Sequence, residues 1–240
     1  MIPPAHAPAT AFARLCREAM AIYGAHAALI VPVAAAFVFL PGLVGATVSD
    51  KLGLQPGHPT VVVMLALVLL LGATAQGALT RIALGVPGTV AAALGDGARL
   101  AGRVLLLQLM SAAAVLLGLA LFIAPGVYLA VRLSSALPAM IAEELPPWTA
   151  AARAWSLSSR QFGPAFLLIG LIAVFGATVF LVALLVAQAL PNALAQAGLA
   201  GLGVFAGEAA LQWVTTAIGV VLLVAQAALY RFLLRAEAAA

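Results

Sequence analysis

Residues 104–142 read VLLLQLMSAAAVLLGLALFIAPGVYLAVRLSSALPAMIA, an apolar run that is too long for one membrane crossing. A transmembrane helix needs about 20 apolar residues, because the hydrocarbon core is about 30 Å thick and a helix rises about 1.5 Å per residue. Pro125-Gly126 interrupts the run, and this dipeptide is a strong turn signal. The run therefore predicts a helical hairpin in which one helix ends at Ala124 and the next begins at Val127.

Four further apolar segments extend this pattern along the chain. With the hairpin they give six predicted spans: residues 23–48, 60–84, 104–124, 127–142, 164–190 and 204–233. Helices satisfy their own backbone hydrogen bonds, which a bilayer requires. The predicted fold class is therefore an all-α, polytopic transmembrane bundle in a single integral membrane domain over residues 1–240.

Composition favours a membrane protein over a soluble one. Hydrophobic residues make up 65% of the chain and charged residues 8%, whereas a soluble domain carries about 25% charged residues. The basic surplus, 11 Lys and Arg against 7 Asp and Glu, flanks apolar runs, so nucleic-acid binding is not expected. Cys16 is the one cysteine in the sequence, which excludes an intramolecular disulfide.

Charge placement decides between five and six spans. With six spans, Lys51 falls on one side of the membrane, Arg132 lies within a span, and the remaining basic residues share the other side. Those residues are Arg14, Arg17, Arg81, Arg99, Arg103, Arg153, Arg160, Arg231 and Arg235. Positively charged loops favour the cytoplasm. The pattern predicts a multi-pass protein of the bacterial inner membrane with both termini in the cytoplasm.

An internal repeat is predicted from an ungapped alignment of two cytoplasmic segments. Residues 8–14 (PATAFAR) align with residues 147–153 (PWTAAAR), and a weaker third copy, PGTVAA, covers residues 87–92. Pro and Thr favour helix N-termini, so each copy predicts a short in-plane helix followed by a transmembrane hairpin. Residues 89–103 and 149–162 are amphipathic and rich in Arg, which is typical of helices at the lipid surface. A docking face for a soluble partner is the alternative.

Arg132 and Glu208 are the candidate functional residues within the spans. Counting along the predicted helices places both towards the outer side of the membrane, and burying either charge alone costs about 3 kcal/mol. Opposite charges at similar depth indicate a pair. Three interpretations stay open: a substrate or proton site, a bridge that locks the fourth and sixth spans together, and snorkelling of Arg132 to the headgroups.

No catalytic, cofactor or metal site is predicted. The histidines, none of them at metal-ligand spacing, are His6, His26 and His58. The glycines match no nucleotide-binding fingerprint. Glu143 and Glu144 end the fourth span, and contact with Arg153 or Arg160 in cytoplasmic water is favoured over metal binding or acid/base chemistry.

Residues 119–162 resemble a known family. The matching positions are Pro125, Gly126, Tyr128, Arg132, Glu144 and Trp155. They resemble the membrane domain associated with glycerophosphoryl diester phosphodiesterases and the related YciC-like bacterial inner-membrane proteins, although Ala154 and Ser158 stand where that family usually has Ser and Thr. The resemblance implies six spans and an arginine in the fourth as a family feature. Phosphodiesterase activity is not implied, because fused members carry a separate catalytic barrel with His-Arg and acidic motifs, and no His-Arg pair occurs here.

The expected role is that of a membrane accessory, scaffold or lipid-interacting protein, without enzymatic activity and without a cofactor. The expected partners are the lipid bilayer and a lipid or protein at the cytoplasmic interfacial helices. Two alternatives stay open: a small transporter or channel with a site near Arg132 and Glu208, and a membrane anchor subunit for a separate phosphodiesterase. A water-accessible cavity reaching Arg132 would favour transport.

Overall fold

The fold is an all-α bundle of long helices. The computed structural model describes residues 8–51, 58–86, 88–196 and 198–238. The elements are α1 (Pro8–Ala34), a π-helical turn (Ala35–Phe39), α2 (Leu40–Lys51), α3 (Pro59–Ala83), α4 (Val90–Leu121), α5 (Ile123–Leu133), α6 (Ala136–Ala142), α7 (Pro147–Arg160), α8 (Phe162–Ala195) and α9 (Ala200–Ala238). Long apolar stretches able to cross a membrane are Ala11–Gly45, Pro59–Ala83, Val90–Leu121, Ile123–Ala142, Phe162–Ala195 and Gly201–Ala238. The predicted all-α polytopic class with six spans is confirmed, and the chain is an integral membrane protein.

Pro41 shapes the first crossing, which runs from α1 through the π-helical turn into α2. Proline has no amide hydrogen, and its ring collides with the carbonyl four residues earlier in an α-helix. The amide of Leu40 bonds to the carbonyl of Ala35, five residues back, and this wider turn ends directly before Pro41. The widened turn therefore lets the helix continue through the proline as α2.

The second and third crossings, α3 and α4, pack closely along each other. Thr89 caps α4, since its hydroxyl oxygen accepts the Ala92 amide at 3.2 Å. Gly97 lies against the Thr74 carbonyl of α3, where a Cβ would collide with the backbone. The predicted in-plane helix over residues 89–103 is therefore wrong as a separate element. This segment is the first part of α4 and is packed on α3.

A single residue, Phe122 (φ −162°, ψ 153°), connects the third and fourth crossings. The predicted turn at Pro125-Gly126 is therefore wrong by three residues. Both lie in the first turns of α5, where the missing amide hydrogen of proline costs no helical bond. Gly126 instead permits close approach of the two helices, since a Cβ on Gly118 would lie 2.9 Å from its Cα.

The fourth crossing is broken into α5 and α6 at Ser134 and Ser135. Pro138 has no amide hydrogen to offer the Ser134 carbonyl four residues earlier, so a regular helix cannot continue there. The Ser134 hydroxyl donates to the Val131 carbonyl at 2.7 Å. The predicted straight helix over residues 127–142 is therefore two helices, and α6 packs on α7 in a shared apolar cluster.

Within the described residues, α7 alone among the predicted repeat segments forms a separate helix. Gln161 (φ −129°, ψ 41°) separates it from α8, and Pro164 has no amide hydrogen to bond back across this point. Ala25 stands in the place of Pro164 in the aligned first copy, and α1 runs through it without interruption. Pro87 of the weakest copy lies outside the described residues. Proline placement thus decides where the predicted in-plane helix forms.

The last two crossings, α8 and α9, form a hairpin with close helix contact. A Cβ on Gly207 would lie 2.7 Å from the Ala187 carbonyl oxygen, so glycine allows the backbones to meet. Large apolar side chains such as Phe175 and Trp213 are exposed on this hairpin. Their exposure suits contact with lipid, which is as apolar as the side chains themselves.

Candidate functional site

Most ionised side chains gather at one end of the bundle, which we call the cationic end. Arg235 binds Glu18 at 3.1 Å, Arg81 binds Asp96 at 3.2 Å, and His26 lines two adjoining hollows that contain these pairs. The arginines that define this end are Arg14, Arg17, Arg81, Arg99, Arg103, Arg153, Arg231 and Arg235. The predicted gathering of basic residues on one side is therefore seen in the fold. The side of the membrane that this end faces stays a prediction.

Arg132 is held by aromatic rings and oxygen atoms rather than by a carboxylate. Its Nε donates to the Tyr128 hydroxyl at 2.9 Å. Its Nη1 donates to the Trp155 carbonyl at 3.2 Å and to the Ser158 hydroxyl at 3.4 Å. The guanidinium carbon lies 5.0 Å from the ring centroids of Tyr128 and Trp155 and 5.4 Å from that of Phe162, all within cation–π range. Three of the family-motif positions, on α5 and α7, are thus in direct contact.

The predicted pair of Arg132 and Glu208 is not formed, because the two residues lie towards opposite ends of the bundle. Glu208 Oε2 lies 3.2 Å from the Thr47 hydroxyl, near the end of α2. Val131, next to Arg132, belongs to the same buried cluster as Tyr230. Residues 208 to 230 span 22 positions of α9, a rise of about 33 Å. Each charge therefore has its own local partners.

Arg153 joins three helices at the cationic end. Its Nη1 and Nη2 donate to the two carboxylate oxygens of Glu237 at 2.8 and 2.7 Å, and its Nε donates to Glu143 at 3.1 Å. The Tyr230 hydroxyl also donates to Glu143, at 2.8 Å. Hydrogen bonding to Glu237, supported by Glu143, raises the pKa of Arg153 above its usual value despite partial burial. The predicted contact between Glu143 and Arg153 is confirmed, and it ties α6 and α7 to α9.

Glu144 has a backbone role that its neighbour lacks. Its φ of 53° lies in the left-handed region, and the Leu145 amide donates to the Met140 carbonyl at 3.1 Å. This arrangement is the usual C-terminal cap of a helix, and glycine is the residue that favours it. Glu144 makes no hydrogen bond or ion pair to another described residue. The predicted motif position thus ends α6, while its carboxylate stays unpaired within the described part of the chain.

A basic groove of about 460 Å³ runs between the first part of α1 and the last part of α9. We define it by Arg14, Arg17, Glu18, Arg231 and Arg235. Arg231 is anchored by a 3.0 Å hydrogen bond to the Ala83 carbonyl, and Arg235 is paired with Glu18. The groove therefore joins four guanidinium groups with one carboxylate.

A second hollow, which we call the polar cavity, lies between the helices of the bundle, is partly open at its surface, and measures about 340 Å³. Its polar lining consists of Gln76, Gln108, Ser111, Ser134, Thr215, Thr216 and Gln226. Gln108 Nε2 donates to Gln76 Oε1, which joins α4 to α3 across the wall. Leu133 and Ser134 line the cavity, whereas the neighbouring Arg132 does not. The polar cavity therefore does not reach Arg132, although the two residues that follow it line the cavity.

Neither hollow was predicted from the sequence. The basic groove joins residues more than 200 positions apart, and their side-by-side placement follows only from the antiparallel packing of α1 and α9. The polar cavity could have been inferred from the sequence, because Gln76, Gln108 and Gln226 lie within apolar helices. Polar side chains are costly in lipid, so such residues are expected to face one another inside the bundle. In the described part of the chain, no group of three or more His, Cys, Asp or Glu residues could hold a metal ion.

No protein-family model, curated protein or solved structure matches the chain. The resemblance of residues 119–162 to the phosphodiesterase-associated membrane domain therefore stays a prediction.

Proposed function

We propose that this integral membrane protein is a lipid-interacting protein that binds the headgroup of an anionic phospholipid in the basic groove. The observation that carries the proposal is the state of Arg14 and Arg17. Both are exposed in the groove, and neither makes a hydrogen bond or ion pair to another described residue. Glu18, the carboxylate among the described residues of the groove, is bound by Arg235. The groove therefore carries a net positive charge that is not neutralised by its own carboxylate.

The geometry of guanidinium groups suits a phosphate ligand. Each guanidinium presents its N–H donors in a planar fork that binds two phosphate oxygens at once. Arg14 and Arg17 are three residues apart on α1, so their side chains lie on one helix face. Each arginine near an anionic leaflet contributes about 1 kcal/mol to lipid binding. Two free arginines therefore provide about 2 kcal/mol of preference for an anionic lipid over a zwitterionic one.

Replacing both arginines by glutamine tests the proposal. Arg14→Gln with Arg17→Gln should weaken phosphatidylglycerol binding by about 2 kcal/mol, which is roughly 30-fold in Kd. Native mass spectrometry of the detergent-solubilised protein, titrated with phosphatidylglycerol against phosphatidylcholine, measures this change directly.

A matched control uses the same end of the molecule. Arg99→Gln with Arg103→Gln removes the same charge from residues that line a different hollow. This control should leave the Kd for phosphatidylglycerol within about twofold, because screening limits charge effects at a distance. Equal losses in the two double variants would mean that charge alone attracts the lipid. A protein that does not prefer phosphatidylglycerol to phosphatidylcholine would rule the proposal out.

We infer further that the cationic end faces the cytoplasm of a bacterial cell, with the protein in the inner membrane. The positive-inside rule supports this orientation, since the arginines that define the cationic end lie on one side of the bundle. A green fluorescent protein fused after Ala240 should fluoresce, because it folds in the cytoplasm. A dark fusion, together with an active alkaline phosphatase fused at the same point, would reverse the orientation.

A small transporter or channel is the second candidate, and the polar cavity favours it. The site first considered for this role, Arg132 with Glu208, has no geometric support, because the two residues do not meet. Solute flux into proteoliposomes separates the candidates. Flux that survives Arg14→Gln with Arg17→Gln but is lost on altering the cavity would favour transport. An anchor role for a separate phosphodiesterase stays a prediction that depends on the family resemblance.

A further inference from the structure

The polar cavity lies where several membrane helices converge. Its wall takes Val38 from the π-helical turn, Gln76 from α3, Ser111 from α4, Ser134 from the α5–α6 break and Gln226 from α9. Its volume of about 340 Å³ falls at the small end of the range for ligand pockets, about 300–1,000 Å³. The cavity is therefore large enough for a small molecule but too small to enclose a whole lipid.

Among the residues that the structure describes, no charged side chain lines the cavity. Placing an ion in a low-dielectric interior without a countercharge is costly, so the lining disfavours charged ligands. The polar groups are carboxamides and hydroxyls, which bind neutral ligands through hydrogen bonds. The lining therefore selects for an uncharged, hydrogen-bonding molecule.

The hydroxyl groups of the cavity are available as acceptors. Thr215 donates to the Leu211 carbonyl and Thr216 donates to the Gln212 carbonyl, each at 2.8 Å. Ser134 likewise donates its proton to a carbonyl of its own helix. A hydroxyl whose one proton is committed to the backbone still has oxygen lone pairs free. These side chains can therefore accept hydrogen bonds from a ligand.

Two further polar side chains lack partners. Gln226 on α9 and Ser111 on α4 make no hydrogen bond to another residue of the described chain. Polar groups inside a membrane protein need a partner, because lipid offers none. The Gln226 amide and the Ser111 hydroxyl supply donors beside the acceptors on α9. A ligand that both donates and accepts would satisfy both sets.

The backbone at the cavity wall is also unusual. Val38 lies in the π-helical turn, and its carbonyl accepts a hydrogen bond from the side-chain Nε2 of Gln212 at 3.3 Å. The side chain of Gln212 packs against Gly42, where a Cβ would collide with it. Turns of this kind inside α-helices frequently occur at functional sites. The turn therefore fixes one wall of the cavity by a cross-helix hydrogen bond.

From these observations we propose that the polar cavity is a binding site for a small uncharged polyol or amide, with glycerol as the representative of the class. Hydroxyl groups of such a molecule donate to the threonine oxygens and accept from Gln226 and Ser111. The site is separate from the basic groove, so the proposal does not depend on lipid binding there.

Cysteine protection tests the proposal in proteoliposomes. In a Cys16→Ser background, Ser111→Cys should react with methyl methanethiosulfonate, as measured by intact-protein mass. Glycerol at ten times its Kd should slow this labelling roughly tenfold, since only the unoccupied site reacts. Raffinose at the same osmolality should give no protection, because it is too large for the cavity. If Ser111→Cys does not fold, Val220→Cys, at an apolar position of the same lining, reports on the cavity without removing a hydrogen-bonding group.

Matched variants make the outcome decisive. Adding Gln226→Leu should abolish glycerol protection, whereas Val221→Leu, an exposed position outside the lining, should preserve it. Labelling without protection would mean that the cavity holds water only, and absent labelling would mean that it is closed to solutes. Protection that persists with Gln226→Leu would place glycerol elsewhere. Each of these three results overturns the proposal, while Arg14→Gln should change none of the labelling rates.

Discussion

Arg132 and Arg153 lie on helices that pack together at the cationic end, yet their guanidinium groups have different surroundings. Arg153 binds Glu237 with two donors and Glu143 with a third. Arg132 binds the Tyr128 hydroxyl and lies over three aromatic rings, and it pairs with no carboxylate of the described residues. The charge of Arg153 is therefore neutralised within the protein, whereas that of Arg132 is not.

The difference separates a structural arginine from a binding-competent one. A bidentate ion pair occupies the N–H donors of the guanidinium group and fixes the position of the group. Aromatic rings stabilise a cation without cancelling its charge, so the group still attracts an anion. Within the described chain, Nη2 of Arg132 donates to no other residue. Removing Arg153 should therefore lower stability through the loss of its carboxylate partners, and removing Arg132 through the loss of its aromatic partners.

Arg153→Leu should have the largest effect on stability. The change leaves the Glu143 and Glu237 carboxylates near each other without their shared cation. Because these side chains are partly exposed (28% for Arg153, 30% for Glu143 and 45% for Glu237), solvent screens part of the cost. We expect a loss of about 2 kcal/mol in the free energy of unfolding, measured by SDS titration in mixed micelles.

A compensating change checks the reason for this loss. Adding Glu237→Gln to Arg153→Leu removes one of the two repelling charges and should restore about 1 kcal/mol. Arg153→Lys keeps the charge but loses the fork, so it should lie between the two. If the added Glu237→Gln lowers stability further, repulsion between the carboxylates is not the cause.

Arg132 should show a smaller effect that depends on its rings. Arg132→Leu is expected to cost about 1 kcal/mol, and a double-mutant cycle with Trp155→Leu should give a coupling energy of about 1 kcal/mol. The cycle with Glu208→Gln is the matched comparison. Residues this far apart should behave additively within about 0.5 kcal/mol. A larger coupling between Arg132 and Glu208 would contradict their separation in the fold, and exchanging the two charges should then restore stability.

The six spans could be predicted from the sequence because apolar length, the interruption at Pro125-Gly126 and the placement of the basic residues together decide them. The position of Arg132 could not. Its depth was counted from a turn at Pro125-Gly126 along a straight helix, whereas the turn is at Phe122 and the helix breaks after Leu133. Both differences come from prolines in context: Pro125 is tolerated in a first turn, while Pro138 interrupts a helix.

The partners of Arg132 depend on a contact that no local pattern encodes. Trp155 lies on α7, and the place of α7 follows from the interruption at Gln161 together with its packing on α6. The resemblance to a known family did mark Tyr128, Arg132 and Trp155 as motif positions. It did not say that they touch. The contact with Glu143 was predictable for Arg153, because ten residues and one turn separate the two.

The adjacent carboxylates Glu143 and Glu144 extend the comparison to the smallest expected effect. Glu143 accepts from Arg153 and Tyr230, whereas Glu144 has a left-handed backbone. Glu144→Gly should therefore raise the free energy of unfolding by about 0.5 kcal/mol, since glycine adopts this conformation without strain but gains entropy when unfolded. Glu143→Gly should lower it, because Arg153 and Tyr230 lose a partner. Thermal unfolding in detergent compares the stabilities of the two variants.

A loss of stability on Glu144→Gly would mean that the Glu144 carboxylate contributes more than its backbone strain costs. Arg103, which lines the same hollow, would then be the first candidate partner of that carboxylate.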